Sequence, residues 1–260
     1  MRIRTTLLAA TLAALTAAVA VPALAVTYGV PDGNAHPQVG ALIADEAYSD
    51  GTWAYCSGTL VSPTVFVTAA HCGEPGQTTA PVSFSSRYEP GDRLYTGRYV
   101  PDPRYDASQS DPHDIAVVVF DKAIADITPA RLPAAGLLDR MKDDGTLSTA
   151  TFTSVGYGSL EPVNGPGGKT YAYTDTRNRA SGSLNSLNKA WLRLSQNPAT
   201  GDGGTCYGDS GGPNFLGDAT SNLLVATTIT GDSACRSTNV DYRLDAPSAR
   251  EFLGRFVALP

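Results

Sequence analysis

Short apolar runs rich in Val, Ile, Thr, Tyr and Phe recur along the chain at 39–44, 59–61, 65–69, 94–100, 115–120, 151–155, 191–194, 223–230 and 240–244, each bounded by turn-forming residues. Runs this short predict strands rather than helices. The 26 glycines and 18 prolines that punctuate them favour a sandwich or a barrel over βαβ repeats and leave those two open. Only the end of the chain reads as a helix. Phe252, Leu253, Phe256 and Val257 recur at helical spacing, Asp245 is placed to cap and Pro247 suits a first turn, so a packing helix is expected over about 247–257.

Two stretches break the alternation. Residues 128–146 are rich in Pro, Ala, Gly and Asp and read as a connector between two halves, whereas 159–186 are dominated by Gly, Asn, Ser, Thr and Pro and read as an exposed loop. Gly168-Lys169-Thr170 has the ending of a phosphate-binding loop, but Val163 stands where the first glycine is required and neither strand nor helix frames it.

The chain opens with Arg2 and Arg4, an Ala/Leu-rich stretch from Leu7 to Val21, then Pro22 and Ala23-Leu24-Ala25. That pattern predicts a cleavable export signal over residues 1–25 and a working domain over 26–260, extracellular. A retained membrane anchor is the opposing reading, disfavoured because Thr11, Thr16 and Pro22 interrupt an alanine-weighted run with little hydrophobic length to spare for a bilayer. Signal removal would leave 17 basic against 25 acidic side chains, a net charge of −8 in place of −6. An acidic surface argues against nucleic-acid or anionic-membrane partners. Four cysteines allow three pairings, and in an exported chain oxidation is expected over metal binding; His71 with Cys56 and Cys72 lacks the four-ligand spacing of a zinc site.

The candidate chemistry lies in three motifs: Thr68-Ala69-Ala70-His71-Cys72, Asp114-Ile115-Ala116 and Cys206-Tyr207-Gly208-Asp209-Ser210-Gly211-Gly212-Pro213. A serine hydroxyl is a weak nucleophile until an imidazole takes its proton and a buried carboxylate holds that imidazole in the right tautomer. The apolar run after Asp114 favours its burial. Gly208-Asp209-Ser210-Gly211-Gly212 also satisfies G-x-S-x-G, but the α/β-hydrolase elbow needs a histidine after the serine, and the histidines here are His36, His71 and His113. His113 lacks the small-residue and cysteine frame around His71, and His36, beside Pro37, is expected in a loop or at the surface. On these motifs the chain resembles the chymotrypsin-like serine proteases, most closely their secreted bacterial members, over residues 26–260.

The resemblance implies an all-β fold of two six-stranded antiparallel barrels, the first over about 26–130 and the second over about 145–245, with the C-terminal helix behind them. It supports the local pairings Cys56–Cys72, which pins the segment of His71, and Cys206–Cys235, which ties the Ser210 loop to a pocket wall. Each closed loop contributes roughly 3 kcal/mol by chain-entropy arguments. It gives Ser210 the role of nucleophile, His71 of base and then acid, and Asp114 of orienter, with the N–H groups of Gly208 and Ser210 as an oxyanion hole. A free amine at Val26, released by signal removal, is expected to pair with Asp209, although Thr27-Tyr28 stands where the family more often has Val-Gly.

Gly204, Thr205, Thr230, Gly231 and Val240 are the expected substrate-binding residues. Gly204 falls where trypsin-like enzymes carry a floor aspartate, and Val240 is expected to narrow the pocket, so a small or medium apolar residue before the cut bond is preferred. An inward Asp241 would instead favour Arg or Lys. Ile229 stands where a serine often supports the catalytic aspartate. The expectation is a monomeric endopeptidase acting on proteins or peptides, with no metal or organic cofactor and with a protein inhibitor as a candidate partner. A secreted binding protein on an inactive scaffold and an esterase use the same motifs.

Overall fold

In the computed structural model, which describes residues 26–260, six strands of the first half close on themselves. Around the barrel they run Val39–Ile43, Ala54–Ser62, Val65–Thr68, Ala116–Val119, Tyr95–Pro101 and Thr79–Ser83, all antiparallel. Leu42, Leu60, Phe66, Val82 and Val117 are wholly buried, each worth about 1.5–3 kcal/mol against exposure. The export-signal reading concerns residues 1–25 and lies outside the described residues.

The second half repeats the plan with Thr151–Gly156, Asn178–Leu187, Trp191–Ser195, Thr238–Arg243, Leu224–Gly231 and Pro213–Leu216. Pairing of Asn178–Leu187 with Thr151–Gly156 closes this second barrel, and Val30–Pro31 adds to the edge at Asn178. The architecture is therefore two six-stranded antiparallel barrels followed by a short helix, Pro247–Leu253. Among the described residues no helix is long and apolar enough to cross a membrane.

Three local expectations are corrected and a fourth is narrowed. The 159–186 stretch carries a hairpin, Val163–Gly165 with Gly168–Thr170, and then enters the long strand Asn178–Leu187. That strand hides Asn178, Ala180 and Gly182, side chains too small or too polar to register as a hydrophobic alternation. The connector contains a helix, Leu137–Asp143, and Asp245 serves it: Leu138 N–H donates to Asp245 Oδ2 at 2.8 Å. The C-terminal helix starts from Ala246 without a side-chain cap and stops at Leu253. His36 lies in a loop, one of its two expected places, but buried at 1 % exposure; its Nδ1 lies 2.6 Å from Asp32 Oδ1 and its ring stacks on Phe215 at 5.0 Å.

Candidate active site

His71 sits in a single 3-10 turn, Ala70–Cys72, at the end of the first-barrel strand Val65–Thr68. Two constraints hold that turn. The Tyr99 hydroxyl, from Tyr95–Pro101, donates to the carbonyls of Ala69 at 2.9 Å and Ala70 at 3.0 Å, and the Cys56–Cys72 disulfide ties it to Ala54–Ser62. Burial and neighbouring phenols push the Tyr99 hydroxyl well above its ordinary pKa, so it stays a donor.

Asp114 directly precedes the strand Ala116–Val119, which pairs residue for residue with Val65–Thr68, and this register delivers it to the turn. Both oxygens engage His71: Oδ2 lies 2.7 Å from Nδ1 and Oδ1 accepts the backbone N–H at 3.0 Å. A carboxyl group on Nδ1 makes that nitrogen the proton-bearing one and leaves the lone pair on Nε2. Asp114 is buried while the His71 ring is part-exposed. His113 is not brought into this arrangement; its Nδ1 is buried without a hydrogen bond, 3.8 Å from Asp102.

The loop carrying Ser210 docks on the same strands. Ser57 N–H donates to the Ser210 carbonyl at 2.8 Å, and the Cys72 sulfur lies 3.7 Å from that oxygen. Gly211, at φ +80°, is forced: a Cβ there would stand 2.1 Å from Thr68 Oγ1 and 2.4 Å from the Ser57 carbonyl. Gly208, at φ +93°, takes a left-handed backbone that other residues avoid. Its carbonyl accepts from Ser57 Oγ at 3.0 Å, and no acceptor among the described residues takes the N–H of Gly208 or Ser210. Motif reading passed over Ser57, because a serine within an almost continuously buried strand gives no signal of its own.

Asp209 is fully buried. Its oxygens accept from Gly158 N–H and Cys206 N–H at 2.8 Å each, and no cation pairs with it among the described residues. Burial pushes its carboxyl up to about 7, the two backbone hydrogen bonds opposing only in part. Val26 is wholly buried, and the next residue is locked to the segment before the Ser210 loop: Gly204 N–H donates to the Thr27 carbonyl at 3.0 Å and Thr27 Oγ1 to the Gly204 carbonyl at 3.1 Å.

The Cys206–Cys235 disulfide closes a cleft of about 270 Å³ beside Ser210, lined by Thr205, Tyr207, Ile229, Thr230, Gly231 and Asp232. Two expected residues do not line it. Gly204 is backed by Gln196, whose Oε1 would lie 2.2 Å from a Cβ at 204. Val240 pairs between Arg193 and Thr230, and the pleat turns its neighbours Asn239 and Asp241 to the inner face of the barrel instead. Asp232 stays ionised, its burial outweighed by the N–H groups of Thr238, Ser237 and Arg236 and by Gln196; those donors occupy its charge. A wider cleft of about 550 Å³ borders Cys72 on the other side, between Tyr48, Tyr55 and Glu74.

Cys56, His71 and Cys72 also come within 4.8 Å of one another, as a metal site would require. Both sulfurs are consumed by their mutual bond, so the group offers a cation one nitrogen.

Two closed antiparallel barrels with a short terminal helix define the class, the chymotrypsin fold. The sequence profile of the family described as Trypsin matches residues 32–250, and the chain belongs to that family, whose members are generally serine endopeptidases acting on protein or peptide substrates. No curated protein matches the chain.

Proposed function

We propose that the protein is a secreted serine endopeptidase that cuts peptide bonds through an acyl-enzyme on Ser210. The observation that carries the reading is the contact of 2.7 Å between His71 Nδ1 and buried Asp114, in a turn packed against the Ser210 loop. His71 Nε2 takes the proton of Ser210 Oγ as that oxygen attacks the carbonyl carbon, then gives it to the leaving amine as the C–N bond breaks. Water repeats the sequence on the ester and restores the serine. Asp114 fixes the tautomer and stabilises the imidazolium, and the unengaged N–H groups of Gly208 and Ser210 receive the oxyanion.

The N-terminus belongs to the same proposal. Cleavage after Ala25 gives Val26 an amine that pairs with Asp209 and holds the oxyanion loop. Val26 stands at φ +65°, which β-branched residues avoid; in a chain beginning at Val26 that torsion no longer exists. The cleft takes a small or medium side chain with an apolar body, against Ile229 and the Cys206–Cys235 disulfide.

A fluorophosphonate probe tests the proposal on secreted protein. Labelling at Ser210, lost in Ser210→Ala, together with hydrolysis of a peptide anilide, is expected. Folded, disulfide-bonded protein that fails to label would identify a binding protein on an inactive scaffold, and turnover of esters without peptides an esterase.

A further inference from the structure

Behind the cleft the second barrel holds polar side chains where apolar packing is the rule. Asp241, Asn239, Asn214 and Ser154 are at most 1 % exposed. Thr205 and Thr228 join them and also line the cleft. These groups form one connected chain: Thr205 Oγ1 to Asn239 Oδ1 at 2.6 Å, Asn239 Nδ2 to Asn214 Oδ1 at 3.1 Å, and Asn214 Nδ2 to Asp241 Oδ1 at 2.7 Å. Ser154 Oγ supports the middle, donating to Asn214 Oδ1 at 2.5 Å, and Asn214 Nδ2 also donates to Thr228 Oγ1 at 3.0 Å.

The orientations of the two amides set the direction of every bond, with Asn239 Oδ1 toward Thr205 and Asn214 Nδ2 toward Asp241. An amide oxygen only accepts, so Thr205 must donate its single proton inward, and the Asn239 and Asn214 amides continue in the same sense to the carboxyl. With that proton committed, the Thr205 hydroxyl has only lone pairs left for the cleft. Chains of aligned hydrogen bonds polarise one another in a low-dielectric interior, so the lone pairs at the open end are strengthened as acceptors. The inner end is anomalous too: among the described residues Asp241 Oδ2 has no hydrogen-bond partner and no cation faces the group. Burial pushes this carboxyl well above its ordinary range, and in its neutral form Oδ1 still accepts from Asn214.

This inference rests on the serine-protease reading and sharpens its substrate class. We infer that the chain Thr205, Asn239, Asn214, Asp241 makes the floor of the cleft a hydrogen-bond acceptor, selecting before the cut bond a side chain with an apolar stem and an N–H donor at its tip. The amides of Gln and Asn and the ammonium of Lys share that chemistry. Apolar isosteres leave the floor unanswered, and ionised Asp or Glu set lone pairs against lone pairs.

Matched peptide anilides that differ only in the residue before the cut provide the test, using the near-isosteric pairs Gln with Met and Lys with norleucine. Wild-type protein is expected to favour the donor in at least one pair by about tenfold or more in kcat/KM, because a site built to bond a polar group rejects the analogue without it. Preference in the Gln pair alone identifies an amide ligand, and in the Lys pair alone a cation; either supports the acceptor floor. Thr205→Val, which removes the lone pairs while keeping the shape, is expected to erase the ratio, and Thr205→Ser to restore it. The ratio is taken within one protein, so partial loss of folded enzyme cancels. Labelling of Ser210 with a preference for Met and norleucine, or a ratio unchanged in Thr205→Val, overturns this inference alone. Absence of labelling overturns it together with the protease reading.

Discussion

Ser57 Oγ donates to the carbonyl of Gly208 at 3.0 Å while accepting the N–H of Tyr157 at 3.0 Å. One hydroxyl from the first barrel thus fixes the Gly208–Asp209 peptide of the second, the unit between the two peptides that carry the Gly208 and Ser210 N–H groups.

Ser57→Ala removes both bonds and leaves two buried backbone groups unanswered, at about 1–3 kcal/mol for each unsatisfied group. Freeing the Gly208–Asp209 peptide also loosens the two peptides beside it, and with them part of the roughly 2.7–4 kcal/mol that one oxyanion donor supplies. The expected outcome is a lower midpoint in urea unfolding and a kcat reduced by about tenfold or more, with KM little changed. A variant that loses stability while kcat holds would show that Ser57 is structural only.

Asp114→Asn keeps the shape of the pair and removes the charge that selects the tautomer. The same change in a well-studied triad costs about 10⁴ in turnover, and a loss of that order is expected here. The check is kcat on a peptide anilide with disulfides verified intact. Retention of more than about a tenth of the activity would place the orienting charge elsewhere, His113 being the adjacent imidazole to examine.

The segments of the fold differ in how legible they are in the sequence. Barrel strands such as 65–69 and 115–120 announce themselves by β-branched runs, and the His, Asp and Ser segments by residue types that chemistry demands. Asn178–Leu187 was hidden because its buried positions are small or polar, and Leu137–Asp143 because Pro, Gly and Asp surround about two turns of helix. The polar side chains behind the cleft were hidden for a related reason. A core is expected to be apolar, so Asn214 and Asn239 carried no signal, and Asp241 entered only as the alternative to Val240 until the pairing register of Thr238–Arg243 turned Asn239 and Asp241 inward.

Asp209 gives a pH signature whose sign can be worked out. An unfolded carboxyl gives up its proton near 3.8, and the folded one keeps it to about 7. Between those values the folded state binds the additional proton, so stability falls as pH rises from about 4 to 7 and levels off above, by about 4 kcal/mol in all. A chain extended ahead of Val26 is expected to show this fall relative to its Asp209→Asn variant in urea midpoints taken across the range. The difference should vanish in protein beginning at Val26, where a protonated amine compensates the carboxylate. Identical profiles for the extended and Val26 forms would remove the proposed pair.

Arg177 is wholly buried and joins the segment ahead of the first barrel to both barrels. Its Nε donates to Asp32 Oδ2 at 3.0 Å, Nη1 to the carbonyls of Val39 at 2.9 Å and Phe84 at 3.1 Å and to the Tyr157 hydroxyl at 3.2 Å, and Nη2 to the Gly33 carbonyl at 2.7 Å. Asp32 depends on it: burial alone would raise that carboxyl, but the hydrogen bond and charge of His36 and the charge of Arg177 bring it below the ordinary value. Arg177→Met strands the anion with His36 and the part-exposed Arg179, and removing one partner of a buried pair typically costs about 3–5 kcal/mol. Replacing Asp32 as well, as Asp32→Asn, removes the stranded charge, so the double variant is expected to be more stable than Arg177→Met alone, whereas independent sites would add their losses. Chemical unfolding of the four proteins in the cycle measures the coupling. Additive losses would mean that the guanidinium acts through its carbonyl bonds and that its charge is immaterial to Asp32.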